Sequence, residues 1–81
     1  MSLIYDSFPT LDAAVDFAAA AQAGYGRKVW VYTDVDEAQA HDAIPVELVT
    51  PIVHVEREDE DEHEDALETL CLAHGGRFVG T

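Results

Sequence analysis

The chain has 81 residues, an apolar fraction of 48% and 17 acidic residues against four cations, which gives a formal net charge of −13. This length predicts a single domain over residues 1–81, near the size at which one hydrophobic core is only marginally stabilising. The anionic field argues against direct binding of nucleic acid. With no secretion signal and no apolar run of about 18 residues, we expect a soluble cytoplasmic protein that does not enter a membrane.

The first part of the chain predicts a strand, a helix and a second strand. Residues 3–8 have the alternation of a short strand. Thr10 then suits the N-cap of a helix that runs to about Ala23, where two nearby glycines end it. Residues 28–33 are rich in β-branched and aromatic side chains, so we expect a strand in the centre of the sheet.

The middle of the chain is less regular. Residues 33–45 predict a loop with at most a helical turn, because many of them are polar. Residues 49–56 return to strand character, and Pro51 within them favours either an edge position or the beginning of the paired stretch.

The last part of the chain predicts a helix and a final strand. The helix should begin within residues 59–61 and run to about His74, because residues from Leu67 onward repeat at the spacing of one helical face. Residues 77–79 follow as a strand. The order β-α-β-β-α-β predicts the α+β class with a ferredoxin-like fold, in which two helices cover one face of a four-stranded antiparallel sheet.

Residues 56–68, which we call the acidic segment, concentrate the negative charge: nine of these thirteen residues are Asp or Glu, and only Arg57 opposes them. One or two acids are enough at the start of a helix, so the excess indicates another role. Carboxylates spread over about 15 Å can imitate part of a phosphate row, whose spacing is about 3.4 Å along one strand. A solvated acidic face without a partner, or a salt-adapted domain, would show the same composition.

The segment therefore predicts a surface that binds a basic, nucleic-acid-handling groove on another protein. The candidate partner-binding residues are Glu56, Glu58, Asp59, Glu60, Asp61, Glu62, Glu64, Asp65 and Glu68, together with Asp34, Asp36 and Glu37 of the predicted loop.

Metal and catalytic chemistry find less support in the sequence. Asp59, Asp61, His63 and Asp65 alternate, but Leu70 stands where a calcium-binding EF-hand has its twelfth-position Glu, so weak cation condensation is expected rather than a specific metal site. The four histidines are dispersed, and His54 should point outward from its strand. No nucleophile motif or phosphate-binding loop is present, so we expect no cofactor, no catalytic residue and no enzymatic activity. A metal-dependent enzyme would need tight metal uptake near His63.

An aromatic pair indicates a second contact surface. Trp30 and Tyr32 alternate with Val29 and Val31, so the two aromatic side chains share one face of their strand. If the helices cover the valine face, the aromatic face is open and favours a homodimer. Alternatively, the aromatic side chains are core and the valines lie outside. Cys71, which is the single cysteine, could add an intermolecular disulfide at such an interface, although a small buried core residue is the other interpretation.

Three stretches carry a resemblance to a known group: residues 5–9 (YDSFP), 51–57 (PIVHVER) and 75–81 (GGRFVGT). They resemble small acidic proteins encoded by bacteriophages and prophages, a group that includes anti-CRISPR proteins. The resemblance implies an inhibitor that binds a CRISPR surveillance complex, of type I for instance, in an infected or prophage-bearing cell. Such an inhibitor would block target DNA by occupying a basic surface with the acidic segment.

Residues 67–78 comprise a predicted helix that ends in a Gly-Gly pair, with an aromatic residue after it. In this respect the chain is also similar to the B-type regulators of ribonuclease E activity, which are acidic inhibitors with a ferredoxin-like fold. Where that family closes with Asp-Gly-Trp, this chain has Val79, Gly80 and Thr81. Both resemblances imply a non-enzymatic acidic inhibitor of a nucleic-acid machine.

Overall fold

A computed structural model describes residues 2–41 and 47–80. These residues form β1 (Ser2–Asp6), α1 (Leu11–Tyr25), β2 (Val29–Tyr32), α2 (Val35–His41), β3 (Ile52–Glu56), α3 (Glu64–Ala73) and β4 (Arg77–Gly80). The four strands make one sheet in the order β2-β3-β1-β4, and every neighbouring pair is antiparallel. The predicted α+β class with a four-stranded antiparallel sheet is confirmed.

The central strands of the sheet are β1 and β3. Leu3 pairs with Val55 and Tyr5 with Val53, and all four side chains are fully buried. The expectation that residues 28–33 form a central strand is wrong, because β2 lies at an edge and pairs only with β3 among the described strands. Strand propensity reflects how a side chain fits a pleated surface and does not fix the strand's place in the sheet. β3 begins immediately after Pro51, at the start of the paired stretch.

The N-terminus of α1 is capped as the sequence predicts. The Thr10 hydroxyl accepts a hydrogen bond from the Ala13 amide at 3.1 Å, which satisfies one of the free donors of the first turn. At the other end the helix continues through Gly24 and stops at Gly26, whose φ of 66° is left-handed and whose N–H donates to the Gln22 carbonyl. A left-handed residue of this kind is a common helix terminus because glycine adopts it without strain.

The main core brings together buried residues of β1, β3, α1 and α3. The Tyr5 ring contacts Phe17 at 4.8 Å and Phe78 at 5.3 Å between ring centroids. Around them pack small residues of α1 and the buried Leu67 and Cys71 of α3. Because the buried face of α1 is mostly alanine, its backbone can approach the sheet closely. Two of its larger apolar residues, Leu11 and Val15, are about half exposed instead.

A second, smaller core lies on the opposite face of the sheet. Ile4 and Ile52 alternate with the strand residues of the main core, and they pack with Ala38 of α2 and with Leu48. The predicted loop over residues 33–45 is therefore wrong in part, since α2 occupies seven of its positions. The Asp34 carboxylate accepts from the Asp36 amide at 2.8 Å at the start of this helix. Residues 42–45 of the predicted loop lie outside the described residues.

The third helix begins later than the sequence predicts. We expected a start within residues 59–61, but α3 begins at Glu64. Glu60 has a left-handed φ of 52°, which a helix cannot contain. The residues between β3 and α3 instead form turns, and Arg27 donates hydrogen bonds to Asp61 within them.

Gly76, just after α3, lies close against Phe8 and Cys71 of the main core. A Cβ atom built on Gly76 would lie 2.7 Å from Cys71 Sγ and would also overlap the Phe8 ring, whereas one built on Gly24 meets nothing within 4 Å. We therefore expect Gly76→Ala to lower the free energy of unfolding by about 1 to 3 kcal/mol through overpacking. Gly24→Ala, which lies within α1, should raise it by about 0.5 to 1 kcal/mol. Urea unfolding of both variants measures this difference, and equal effects would contradict the close approach at Gly76.

Candidate functional site

The acidic segment extends from the end of β3 through the turns to the first part of α3. Its exposed carboxylates are those of Glu58, Asp59, Glu60, Glu62 and Asp65, while Glu56, Glu64 and Glu68 are half-buried. Residues 57–60 line a surface depression of about 240 Å³. The structure thus keeps most of the predicted partner-binding residues of the segment open to solvent along one end of the molecule.

Arg27 fastens this segment to the rest of the fold. Its guanidinium donates two hydrogen bonds of 2.7 Å to the two carboxylate oxygens of Asp61 and a third, of 3.0 Å, to the backbone carbonyl of Glu56. Its Nε also lies 3.1 Å from a carboxylate oxygen of Glu58. Arg27 is only 2% exposed. A planar guanidinium suits this position because it can make a paired contact with a carboxylate and still reach a neighbouring acceptor.

Asp61 is the one predicted partner-binding residue in the segment whose side chain is fully buried, with an exposed fraction of 0%. The prediction that its carboxylate faces a partner is therefore wrong. Hydrogen bonds from Arg27 hold the pKa of Asp61 well below its usual range and outweigh its burial, which acts in the opposite direction. The same hydrogen bonds raise the pKa of Arg27. Asp61 is a structural anion, and the carboxylates around it are the accessible ones.

The turn after Asp61 is fixed by the same carboxylate. One oxygen of Asp61 accepts a hydrogen bond from the His63 amide at 3.0 Å. The His63 ring then lies 5.0 Å from the ring of Tyr25, at the end of α1. The acidic segment is therefore attached to the α1–β2 corner by the guanidinium of Arg27 and by a ring contact beside it.

The other predicted acidic residues lie elsewhere. Asp34, Asp36 and Glu37 are exposed at the start of α2, which follows the far end of β2. In the β2–β3 ladder Val29 pairs with Val55, next to the acidic segment, whereas Tyr32 pairs with Ile52. The two acidic groups are consequently separated by at least the length of β2, roughly 10 Å. The sequence placed them in one candidate surface, and the structure does not bring them together.

A second buried carboxylate, which pairs with an exposed arginine, was not predicted. Asp6, at the end of β1, is fully buried and accepts two hydrogen bonds of 2.9 Å from Arg77. It also accepts from the Val49 amide at 2.9 Å and from the Ser7 hydroxyl at 3.0 Å. The hydrogen bonds to Asp6 and its negative charge raise the pKa of Arg77. One signal in the sequence points to this role, because Asp6 is a charged residue in an otherwise largely apolar strand.

The two ion pairs change how the surface charge is understood. Arg27 and Arg77, half of the cations in the chain, each pair with one buried carboxylate, although the Arg77 side chain itself is 57% exposed. Lys28 and Arg57 are exposed, so the formal charge of −13 is carried by groups outside these pairs.

The aromatic pair on β2 is half-buried rather than fully open. The ring of His41, in the last turn of α2, lies 4.5 Å from Trp30 and 5.8 Å from Tyr32. His54 lies 5.2 Å from His41 and is fully buried, so the expectation that it points outward is wrong. On this face Tyr32 packs against the smaller core, in which Ala38 of α2 and Ile52 are buried. Val29 and Val31 pack against the main core, and a dimer contact through Trp30 and Tyr32 stays a prediction.

Cys71 does not lie on a surface that a second copy could reach. It is fully buried in the main core, and burial raises the pKa of its thiol to about 12. The prediction of a dimer contact through Cys71 is therefore wrong, and the alternative interpretation as a small core residue is the one the structure supports. Its helical spacing with Leu67 placed it correctly on the buried face of α3.

The thiol of Cys71 should be unreactive in the native protein. Thiol reagents attack the thiolate, which is scarce at pH 8 when the pKa is raised and the sulfur is buried. We expect labelling by a chromogenic disulfide reagent to be at least about a hundredfold slower in buffer than in 6 M urea. Rapid labelling of the folded chain, or a disulfide-linked dimer under mild oxidation, would contradict this placement.

The ion pair between Arg27 and Asp61 should make the free energy of unfolding depend on pH. Because the pKa of Asp61 is lower folded than unfolded, its contribution is fully present above the unfolded value of about 3.9 and is lost as the pH falls through the folded pKa. At pH 7, Asp61→Asn should lower the free energy of unfolding by about 3 kcal/mol, since Arg27 then lacks its buried partner. The difference from wild type should shrink steadily below about pH 4.

Urea unfolding between pH 7 and pH 2 measures this difference. The control is Glu62→Gln, which removes the exposed carboxylate that directly follows Asp61 in the sequence. Its free energy of unfolding should equal that of wild type at every pH. A gap between Asp61→Asn and wild type that stays constant down to pH 2 would show that the carboxylate of Asp61 is not the titrating group.

Comparisons with known proteins add no assignment. No protein-family model matches the sequence, and no curated protein or solved structure is significantly similar to it. Within residues 2–41 and 47–80, no group of three or more His, Cys, Asp or Glu side chains could hold a metal ion. In the same part of the chain, no helix has the length and apolar character needed to cross a bilayer.

Proposed function

We propose that the protein is a non-enzymatic acidic inhibitor whose acidic segment occupies a basic nucleic-acid groove on a protein complex. The complex is, on this proposal, a CRISPR surveillance complex of type I in the cytoplasm of an infected or prophage-bearing cell, and the inhibited step is the binding of target DNA. The inhibitor itself binds no nucleic acid, because its charge has the same sign.

The observation that carries this proposal is the way in which the exposed carboxylates are held. Glu58, Asp59, Glu60 and Glu62 lie in the sequence between or beside two residues that a buried arginine holds. Arg27 donates to the backbone carbonyl of Glu56 and to the carboxylate of Asp61. A surface held in place loses less conformational entropy on binding than a flexible acidic tail does. Phosphates in nucleic acid are likewise a fixed row of charges, so a groove shaped for them can accept this segment.

The fold supports the same proposal in a weaker way. We propose that the fold is ferredoxin-like, with α2 as an addition between β2 and β3. The strand order β2-β3-β1-β4 and the joint packing of α1 and α3 in the main core support this assignment. The alternative target is a ribonuclease. An inhibitor similar to the regulators of ribonuclease E would use the same acidic surface.

Reversing charge in the exposed part of the segment tests the proposal. The variant Asp59→Lys, Glu60→Lys, Glu62→Lys should weaken the displacement of target DNA from a purified type I surveillance complex by more than about tenfold. Folding should be intact or slightly more stable, because like charges repel less. Displacement by wild type should also fall steeply between 50 and 200 mM salt.

The matched control reverses three exposed acids outside both acidic groups. The variant Asp12→Lys, Asp16→Lys, Glu47→Lys has the same net charge and should lose much less activity. Equal loss in the two triple variants would show that only net charge matters. An assay of ribonuclease E in parallel tests the alternative target. If the wild-type protein inhibits neither the surveillance complex nor ribonuclease E, and unfolds at low ionic strength, it is a salt-adapted domain.

A further inference from the structure

Arg27 sits at a junction where three parts of the chain meet. It follows Gly26, which ends α1, and it precedes β2. From there its guanidinium reaches across to the last residue of β3 and to Asp61, which is 34 residues further along the chain. The side chain is almost completely buried, so these contacts are made in a region of low dielectric where they are strong.

The turns that Arg27 holds have little other support. Residues 57–60 are exposed and contribute nothing to either apolar core. Glu60 also keeps a left-handed φ of 52°, a conformation that costs a residue other than glycine roughly 1 kcal/mol or more. A conformation of this kind persists only where the surrounding structure fixes it, and the contacts that flank it are those of Arg27 with Glu56, Glu58 and Asp61.

We infer that Arg27 is the positioning residue of the acidic surface: a buried cation that holds the exposed carboxylates in the arrangement that a basic groove recognises. This inference rests on the proposed function for its partner, and on the hydrogen-bond geometry alone for the ordering of the segment. It has a counterintuitive consequence. Removing a cation makes the inhibitor more negative, so a mechanism based on charge alone predicts tighter binding, whereas positioning predicts weaker binding.

The neighbouring lysine supplies a matched control. Arg27→Gln and Lys28→Gln produce chains of identical net charge, but Lys28 is exposed. We expect Arg27→Gln to displace target DNA from the type I surveillance complex at least about tenfold less well than Lys28→Gln. Arg27→Lys, which preserves the charge but cannot form the paired contact, should lie between them.

Amide hydrogen exchange measures the ordering without any partner. Exchange within residues 57–63 should accelerate at least about tenfold in Arg27→Gln and more moderately in Arg27→Lys, while β1 and β3 stay protected. Lys28→Gln should match wild type. If Arg27→Gln does not fold, Arg27→Lys decides both measurements, because it keeps a cation beside Asp61.

A short oligolysine peptide separates charge from arrangement. A deca-lysine probe imposes little geometry, so it should bind Arg27→Gln and Lys28→Gln equally and slightly more tightly than wild type. Equal DNA displacement by the two glutamine variants, or unchanged exchange in residues 57–63, would overturn the inference. Failure of wild type to engage the surveillance complex, with exchange accelerated as expected, would overturn the proposed function and leave Arg27 as the residue that orders the segment.

Discussion

The contact on which the rest of the acidic surface depends is the buried pair between Arg27 and Asp61. A guanidinium and a carboxylate taken out of water are costly unless their hydrogen bonds are satisfied. Here the guanidinium donates to both carboxylate oxygens, Arg27 donates a further hydrogen bond to the Glu56 carbonyl, and Asp61 accepts one from the His63 amide. The pair therefore gives a strongly charged and exposed segment a fixed course, which neither apolar core could do because residues 57–60 do not enter them.

A second buried carboxylate is satisfied by hydrogen bonds at the end of β1. Asp6 is buried and satisfied by Arg77, the Ser7 hydroxyl and the Val49 amide, so it joins β1, β4 and the chain that leads into β3. A protein with four cations and 17 acids uses two arginines in this way. Because both arginines are paired with buried carboxylates, the other exposed groups carry an excess of negative charge, and a field of that sign repels nucleic acid.

Much of the fold could be predicted from local patterns, because those patterns are read over a few residues. Thr10 as a helix cap, the place of Cys71 on the same helical face as Leu67 and the last strand all follow from such signals. Contacts between distant residues could not be predicted. Arg27 and Asp61 are 34 residues apart, and the sequence around either residue does not indicate that the two pair. The helix α2 was missed for a related reason, since its one fully buried residue, Ala38, acquires an apolar partner only when Ile4 and Ile52 are brought to the same face. The accessible carboxylates of the site were foreseen, but their attachment was not.

The alanine-rich helix α1 has an effect well beyond its own packing. Its rotation about its axis is set by the side chains that enter the core, which are Ala14, Phe17, Ala18 and Ala21. Since each residue turns an α-helix by about 100°, that rotation also decides the direction in which the chain leaves at Gly26, and hence where the next side chain is aimed. Loss or gain of a single residue in the helix would swing the guanidinium away from the carboxylate it meets. The packing of α1 in the core thus sets the direction of the Arg27 side chain, and through it the position of the acidic segment.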